Sequence, residues 1–361
     1  MKITKLKTQL VNLPLDKPIS TAIHSMVSVG CVCVSLETDK GLVGESYIFS
    51  LNAVRLKAFD EMVKGLAYFV IDQDPHYVSA IWANIWKEIN PSGHKGVTVS
   101  ALSALDTACW DLIGKSADKP LHHVFGACRD RIKTYASSGL WLSQSIDELQ
   151  TQASQFVKDG FRGMKIRAGS KNIQDDIERV KAVRDAVGPE IELMVDLNQA
   201  HDTKKAIRLG HQLQQFNLIW VEEPVPAYDL KGHARVTNAL TTPIASGETE
   251  YTRFGMQSMI EQQACDILMP DLQRAGGLSE MLKIAHLASA HNMSISTHIF
   301  TEHSLCIAGS ANNCISVEHM PWYSRLFNES MEIDQGDILI PNRPGIGFTF
   351  NQDNLKQYAL L

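Results

Sequence analysis

From about residue 130 onward, short β-rich runs alternate with amphipathic stretches of helical length, and this alternation limits the possible folds more than any other feature. The runs are IKTYASS, RGMKIRA, ELMVDLN, LIWVEEP, PIASGE, DILMPDL, MSISTH and ISVEHM, separated by segments such as IDELQTQASQFVKDG and GLSEMLKIAHLASAHN. Eight such units in about 190 residues predict a (β/α)8 barrel, or one whose last helix is missing or replaced. An open doubly wound sheet is the competing arrangement, but no Gly-rich dinucleotide turn follows the first strand. The preceding third mixes the strand-like ITKLKTQLVNLPL and GCVCVSLETDKGLVGESYIF with the helical AVRLKAFDEMVKGLAYFVI and SALSALDTACWDLIGKSA. It reads as an α+β domain over residues 1–125, with a hairpin turn at Asp39-Lys40-Gly41.

Charged side chains recur near the C-terminal ends of seven of the eight runs: Lys165 with Arg167, Asp196, Glu222, Glu248, Asp271, His298 and Glu318. Successive positions lie 31, 26, 26, 23, 27 and 20 residues apart, about one βα unit each time. In a barrel these ends converge on one mouth.

Three carboxylates on consecutive strands, Asp196, Glu222 and Glu248, raise one another's pKa unless a cation stands between them. All-oxygen ligation with room for water and substrate suits Mg²⁺, with Mn²⁺ as a substitute; Zn²⁺ would more often recruit His or Cys. A single such acid would read as a helix cap or loop salt bridge. Asn198, two residues after Asp196, faces the same way and either orients a ligand or substrate or caps the next helix. Glu223 is expected to face away from Glu222.

His298 and Asp271 end adjacent strands, where a carboxylate can fix the tautomer of an imidazole and raise its basicity. Lys165 and Arg167 project together from one strand face, so something anionic should lie opposite them. A metal that grips a substrate carboxylate, cations on one side and a His-Asp pair on the other, suits removal of the proton α to that carboxylate through an enediolate. Glu318 could meet the substrate carboxylate as a protonated acid. A Schiff-base lysine would leave the three acids unexplained, and a non-catalytic binding barrel would leave the intact metal set unexplained.

The formal charge of −6, with no long basic run, argues against nucleic acid or an anionic membrane as partner. Seven scattered cysteines, the absence of a signal-like apolar stretch in MKITKLKTQL and the lack of a long uncharged apolar run point to a reducing cytoplasm.

Taken together, the K-x-K/R strand at Lys165, VDLNQ, WVEEP, GET, MPDLQRAGG, STHIF and VEHM, with a loop near PISTAIHSMVSVG, resemble the mandelate racemase subgroup of the enolase superfamily over nearly the whole chain. The resemblance implies a modified (β/α)7β barrel of the TIM type at 126–321 beneath the N-terminal capping domain, with residues 322–361 packing back on that domain. It also implies Mg²⁺ at Asp196, Glu222 and Glu248, a His298-Asp271 dyad, a small-molecule carboxylate substrate and a homo-oligomer. Members that racemise usually carry a second Lys where this chain has Arg167; a guanidinium is a poor base and a good carboxylate clamp or enediolate stabiliser. His298 alone could then take the proton and later protonate a departing β-hydroxyl. Ser20, Thr21, His24 and Ser25 in the capping loop favour a polyhydroxylated substrate. The expected reaction is dehydration of a sugar acid, aldonate or aldarate, to a 2-keto-3-deoxy acid, with racemisation or epimerisation of a 2-hydroxy acid as the second reading.

Overall fold

In the computed structural model, which describes residues 1–360, the chain opens with an antiparallel sheet of β1 (Ile3–Ser20), β2 (Ser25–Thr38) and β3 (Val43–Leu51). The expected turn links β2 to β3, with Gly41 at φ 75°. The central parts of β2 and β3 are buried on both faces, and alternation decides what each residue meets. Val32, Val34, Leu36 and Ile48 join the core of the helices α1 (Leu56–Gly65), α2 (Val78–Glu88) and α3 (Val97–Ser116), whereas Cys31, Cys33, Tyr47 and Phe49 join the barrel-side core. Gly44 permits the close approach of α3, since a Cβ there would stand 2.2 Å from the Ala108 carbonyl oxygen. The sequence reading did not identify α2, although Val78, Ile81, Trp82 and Ile85 bury at helical spacing.

Eight parallel strands then close a barrel: β4 (Arg131–Ala136), β5 (Gly163–Arg167), β6 (Glu192–Asp196), β7 (Trp220–Glu222), β8 (Ile244–Ser246), β9 (Ile267–Leu268), β10 (Ser294–Thr297) and β11 (Cys314–His319). Closure runs through Val317, Glu318 and His319 of β11 beside Thr134, Tyr135 and Ala136 of β4, so the doubly wound alternative is excluded. Helices follow the first seven of these strands, giving (β/α)7β. Beneath the mouth the lumen is filled by Tyr135, Met194, Trp220, Ala245, Ile267 and Met269, a dry floor that strengthens the electrostatics above it.

After β11 a hairpin of β12 (Ile333–Asp334) and β13 (Asp337–Leu339), absent from the sequence reading, pairs antiparallel with residues 131–133 of β4. The chain then returns to β1, where Asn12 donates to the Tyr358 carbonyl and Leu360 to that of Leu10, each at 2.9 Å. Among the described residues no helix is long and apolar enough to cross a membrane.

Candidate active site

Strand register puts the charged residues at one level: Arg167 pairs with Asp196, and Asp196 with Glu222. The two cations of β5 share this layer because acids interleave with them. Lys165 Nζ lies 2.6 Å from Glu222 Oε1, 2.9 Å from Glu318 Oε1 and 3.7 Å from Asp196 Oδ2. Arg167 Nε is 3.3 Å from Asp196 Oδ2, its Nη2 donates to Ser137 Oγ at 3.1 Å, and its guanidinium stacks 4.8 Å from the Trp141 ring centre. Burial alone would lower both pKa values; for Lys165 the charges of Glu222 and Glu318, and for Arg167 those of Asp196 and Glu318, outweigh it and raise them.

Each acid is held differently. Asp196 accepts from the Asn198 backbone N–H at 2.8 Å and from Asn198 Nδ2 at 3.0 Å, so Asn198 orients this carboxylate. Glu222 is fully buried and does not line the cavity; it accepts from Lys165 and, at 3.0 Å, from Trp220 Nε1. Glu248 Oε2 and Asn198 Oδ1 are buried oxygens without any hydrogen-bond partner. Among the described residues no three His, Cys, Asp or Glu side chains are gathered closely enough to grip an ion, because Lys165 and Arg167 stand between the acids. The donor chemistry nevertheless fits a hard cation: carboxylate and amide oxygens only, two of them unsatisfied.

Glu223 does not face away as strand alternation predicted. The strand ends at Glu222, and Glu223 adopts φ 41°, which turns its side chain to the cavity. There it accepts from Gln199 Nε2 at 3.0 Å and Thr249 Oγ1 at 2.9 Å, and burial with the charges of Glu248 and Asp196 pushes its pKa up to about 8. Asn198 (φ 42°), Gln199 (62°), Ile299 (30°) and Phe300 (48°) are likewise left-handed non-glycine residues directly after site-bearing strands, conformations that cost free energy and concentrate at functional sites.

His298 Nδ1 lies 2.8 Å from Asp271 Oδ2, and Asp271 Oδ1 accepts from the Arg274 backbone N–H at 2.8 Å while capping the turn Leu272–Ala275. With both carboxylate oxygens engaged, the ring is fixed and Nε2 is directed towards Glu248 Oε2, 3.4 Å away. Burial would lower the imidazole pKa, but the Glu248 charge, the Asp271 hydrogen bond and Glu318 push it up to about 9.

Glu318 corrects an expectation. It is an ionised acceptor, not a protonated acid: burial opposes its charge, but Lys165, His298, Arg167 and a hydrogen bond from Ser137 lower its pKa well below the usual range. Its second oxygen accepts from the Ile299 backbone N–H at 2.9 Å.

These groups open into a cavity of about 130 Å³ roofed by the N-terminal sheet. From the capping loop, Thr21 and His24 reach it, whereas Ser20 and Ser25 pair with one another at the base of the loop and do not line it. The sequence reading missed an apolar side formed by Met26, Phe49, Trp141, Met320 and Trp322, with Trp141 and Trp322 stacked at 5.9 Å. It also missed Arg274, three residues after Asp271 in the same motif, which enters the cavity from the turn Leu272–Ala275 and not from a strand.

Residues 3–126 match the N-terminal domain model of the mandelate racemase / muconate lactonizing enzymes, and residues 148–354 match the enolase C-terminal domain-like family. The chain therefore belongs to the mandelate racemase and muconate lactonizing enzyme family of the enolase superfamily. It is 34% identical over 357 residues to L-talarate/galactarate dehydratase of Salmonella typhimurium, covering 97% of this chain and 89% of that protein. D-galactarolactone cycloisomerase of Agrobacterium fabrum is 32% identical, with 100% of this chain and 99% of that protein covered. A crystal structure of a variant L-talarate/galactarate dehydratase liganded with Mg and L-glucarate matches with a TM-score of 0.96 at 33% identity, over 100% of this chain and 92% of that one. A Streptomyces coelicolor racemase with bound magnesium matches at 0.96 and 30% identity, over 99% and 100% of the two chains.

Proposed function

We propose that the protein removes the proton α to the carboxylate of a sugar acid and eliminates the β-hydroxyl as water, leaving a 2-keto-3-deoxy acid. The observation that carries this reading is the His298 imidazole, fixed by Asp271 at 2.8 Å with Nε2 turned to the mouth, in a site where Arg167 is a guanidinium and a poor base. Burial lowers this imidazole's pKa and the Glu248 charge is the largest influence raising it, so an ion held by Glu248 would return the ring towards the neutral form that a base requires. The relatives named as dehydratases support the reaction class.

Asp196, Glu222 and Glu248 would hold a divalent ion, Mg²⁺ with Mn²⁺ as a substitute, and Asn198 would keep Asp196 oriented. When bound, such an ion supplies positive charge that offsets both the acids and the charge developing on the substrate carboxylate. His298 Nε2 takes the α-proton as general base; the β-carbon–oxygen bond then breaks, and the same imidazolium protonates the departing hydroxyl. The enol product tautomerises to the ketone. Lys165 and Arg167 place N–H donors opposite the developing oxyanion, and the Trp141 stack and Ser137 hold the guanidinium plane. Glu318 keeps both cations in register.

The same reading places a cap of residues 1–125 and 322–361 over a barrel of 126–321, in a homo-oligomer in a reducing cytoplasm. The contacts of Tyr358 and Leu360 with β1 support the cap, and seven free cysteines suit the compartment. The test is a panel of aldonates and aldarates incubated with the Mg²⁺-loaded protein. Formation of a 2-keto-3-deoxy acid that disappears in His298→Asn is expected; turnover that survives this substitution contradicts the assignment.

A further inference from the structure

One cation of the mouth takes no part in the chemistry just described. Arg274 lines the cavity with 29% of its side chain exposed. Its Nη1 donates to the Glu248 carbonyl at 2.9 Å and lies 3.7 Å from Asp271 Oδ2, while its other guanidinium N–H groups make no hydrogen bond. In the closed barrel β5 and β9 are four strands apart in either direction. Arg274, just past β9, therefore faces Lys165 and Arg167 across the mouth. The site has two cationic poles.

What roofs the Arg274 pole is also rich in donors. The Thr21 hydroxyl accepts from the Ile23 and His24 backbone N–H groups at 3.3 and 3.1 Å, which fixes the loop and leaves its own proton free to donate. His24 borders the same cavity, and its imidazole carries an N–H in either charge state. No acidic residue occurs between Ser20 and Ser25. A guanidinium with free N–H groups beside two further donors complements a carboxylate. Asp271, Glu248 and Glu223 already offset part of the guanidinium charge, but a terminal alcohol would use fewer of these free donors than a carboxylate.

Resting on the dehydration reading above, we propose that Arg274, His24 and Thr21 form a second anion subsite, and that the substrate is a dicarboxylic sugar acid, an aldarate rather than an aldonate. The first carboxylate lies at the Lys165 and Arg167 pole and the second beneath the capping loop.

Two measurements test this and separate its failure from that of the dehydration reading. In the first, kcat/KM is compared for an aldarate and the aldonate of the same configuration. We expect the aldarate to be preferred by about tenfold to a hundredfold, the range for one charge-assisted pair. Arg274→Gln should collapse that ratio, and His24→Asn should reduce it less. An aldonate used as well as the aldarate, or a ratio untouched by Arg274→Gln, overturns the subsite. The second measurement is calorimetric titration of the Mg²⁺-loaded protein with adipate and with 6-hydroxyhexanoate, neither of which can lose a β-hydroxyl. Tighter binding of adipate that Arg274→Gln abolishes sustains the subsite even if no sugar acid is turned over, in which case only the dehydration reading fails. Equal binding of the two acids overturns the subsite.

Discussion

His298 and His303 lie five residues apart, both largely removed from water, yet their imidazoles are driven in opposite directions. His298 is pushed up to about 9, whereas His303, packed edge-on to Tyr47 at 4.8 Å, is pushed down to about 3. Burial lowers both. The difference is the company: His298 meets Asp271, Glu248 and Glu318, while both ring nitrogens of His303 lack a protein partner. Near His303, Glu302 is itself raised to about 7 by burial, and its Oε2 accepts from Tyr47 at 3.4 Å. The mouth is thus a layer of ions that compensate one another, whereas the seam between sheet and barrel gives the His303 imidazole no counter-charge and adds the repulsion of Lys115. Charge survives burial only where counter-charge was built in, and the reactive groups belong to the first layer.

Removing the imidazole should break the contrast most completely. His298→Asn is expected to lower kcat by about 10³ to 10⁴-fold, the upper range for a general base, with substrate binding retained by isothermal titration. Next in size is Lys165→Met, which strips Glu222 and Glu318 of their shared ammonium. Leaving buried charge unpaired costs about 3–5 kcal/mol, so urea unfolding of the metal-free variant should show a loss of that order. Mg²⁺ should recover more stability for this variant than for the parent. Asp271→Asn keeps the shape of the dyad but not its charge, and a kcat loss of about 10²-fold is expected from disturbed tautomer and basicity.

The smallest effect lies at the seam. The unfolded His303 takes up a proton near pH 6.5, whereas the folded side chain refuses one until about pH 3. Its neutral form therefore contributes stability above pH 6.5 that is lost as pH falls through that window, at most about 1.4 kcal/mol per pH unit. His233 and His319, both lowered to about 4 by burial, act in the same sense. Asp106 and Glu302, raised to about 7, act in the opposite one. Melting curves between pH 7 and 5 should consequently be flatter for His303→Gln than for the parent, and an unchanged slope would place the acid sensitivity elsewhere.

The order of charged residues at the strand ends was legible because a parallel barrel converts regular chain spacing into a common level; Asp196, Glu222 and Glu318 lie in their strands, and Glu248, Asp271 and His298 within three residues of a strand end. What escaped depends on backbone turns that regular spacing does not encode. Glu223 turns inward at φ 41°, where alternation no longer holds, and Arg274 enters from a helical turn. Ionisation states also escaped: Glu318 is charged because Lys165 folds in among the acids, a contact between residues 153 positions apart that no local pattern encodes. The β12–β13 hairpin was missed for a related reason, since its two short strands gain their place only by pairing with β4.

The most direct test of a single base at His298 is proton exchange on a 2-hydroxy acid that lacks a β-hydroxyl, followed by NMR in D₂O with the Mg²⁺-loaded protein. Deuterium should enter the α-position with retained configuration, and His298→Asn should abolish exchange while Arg167→Met only slows it. Exchange with inversion, or exchange that persists without His298, would contradict the one-base account and return Lys165 or Arg167 to the role of base.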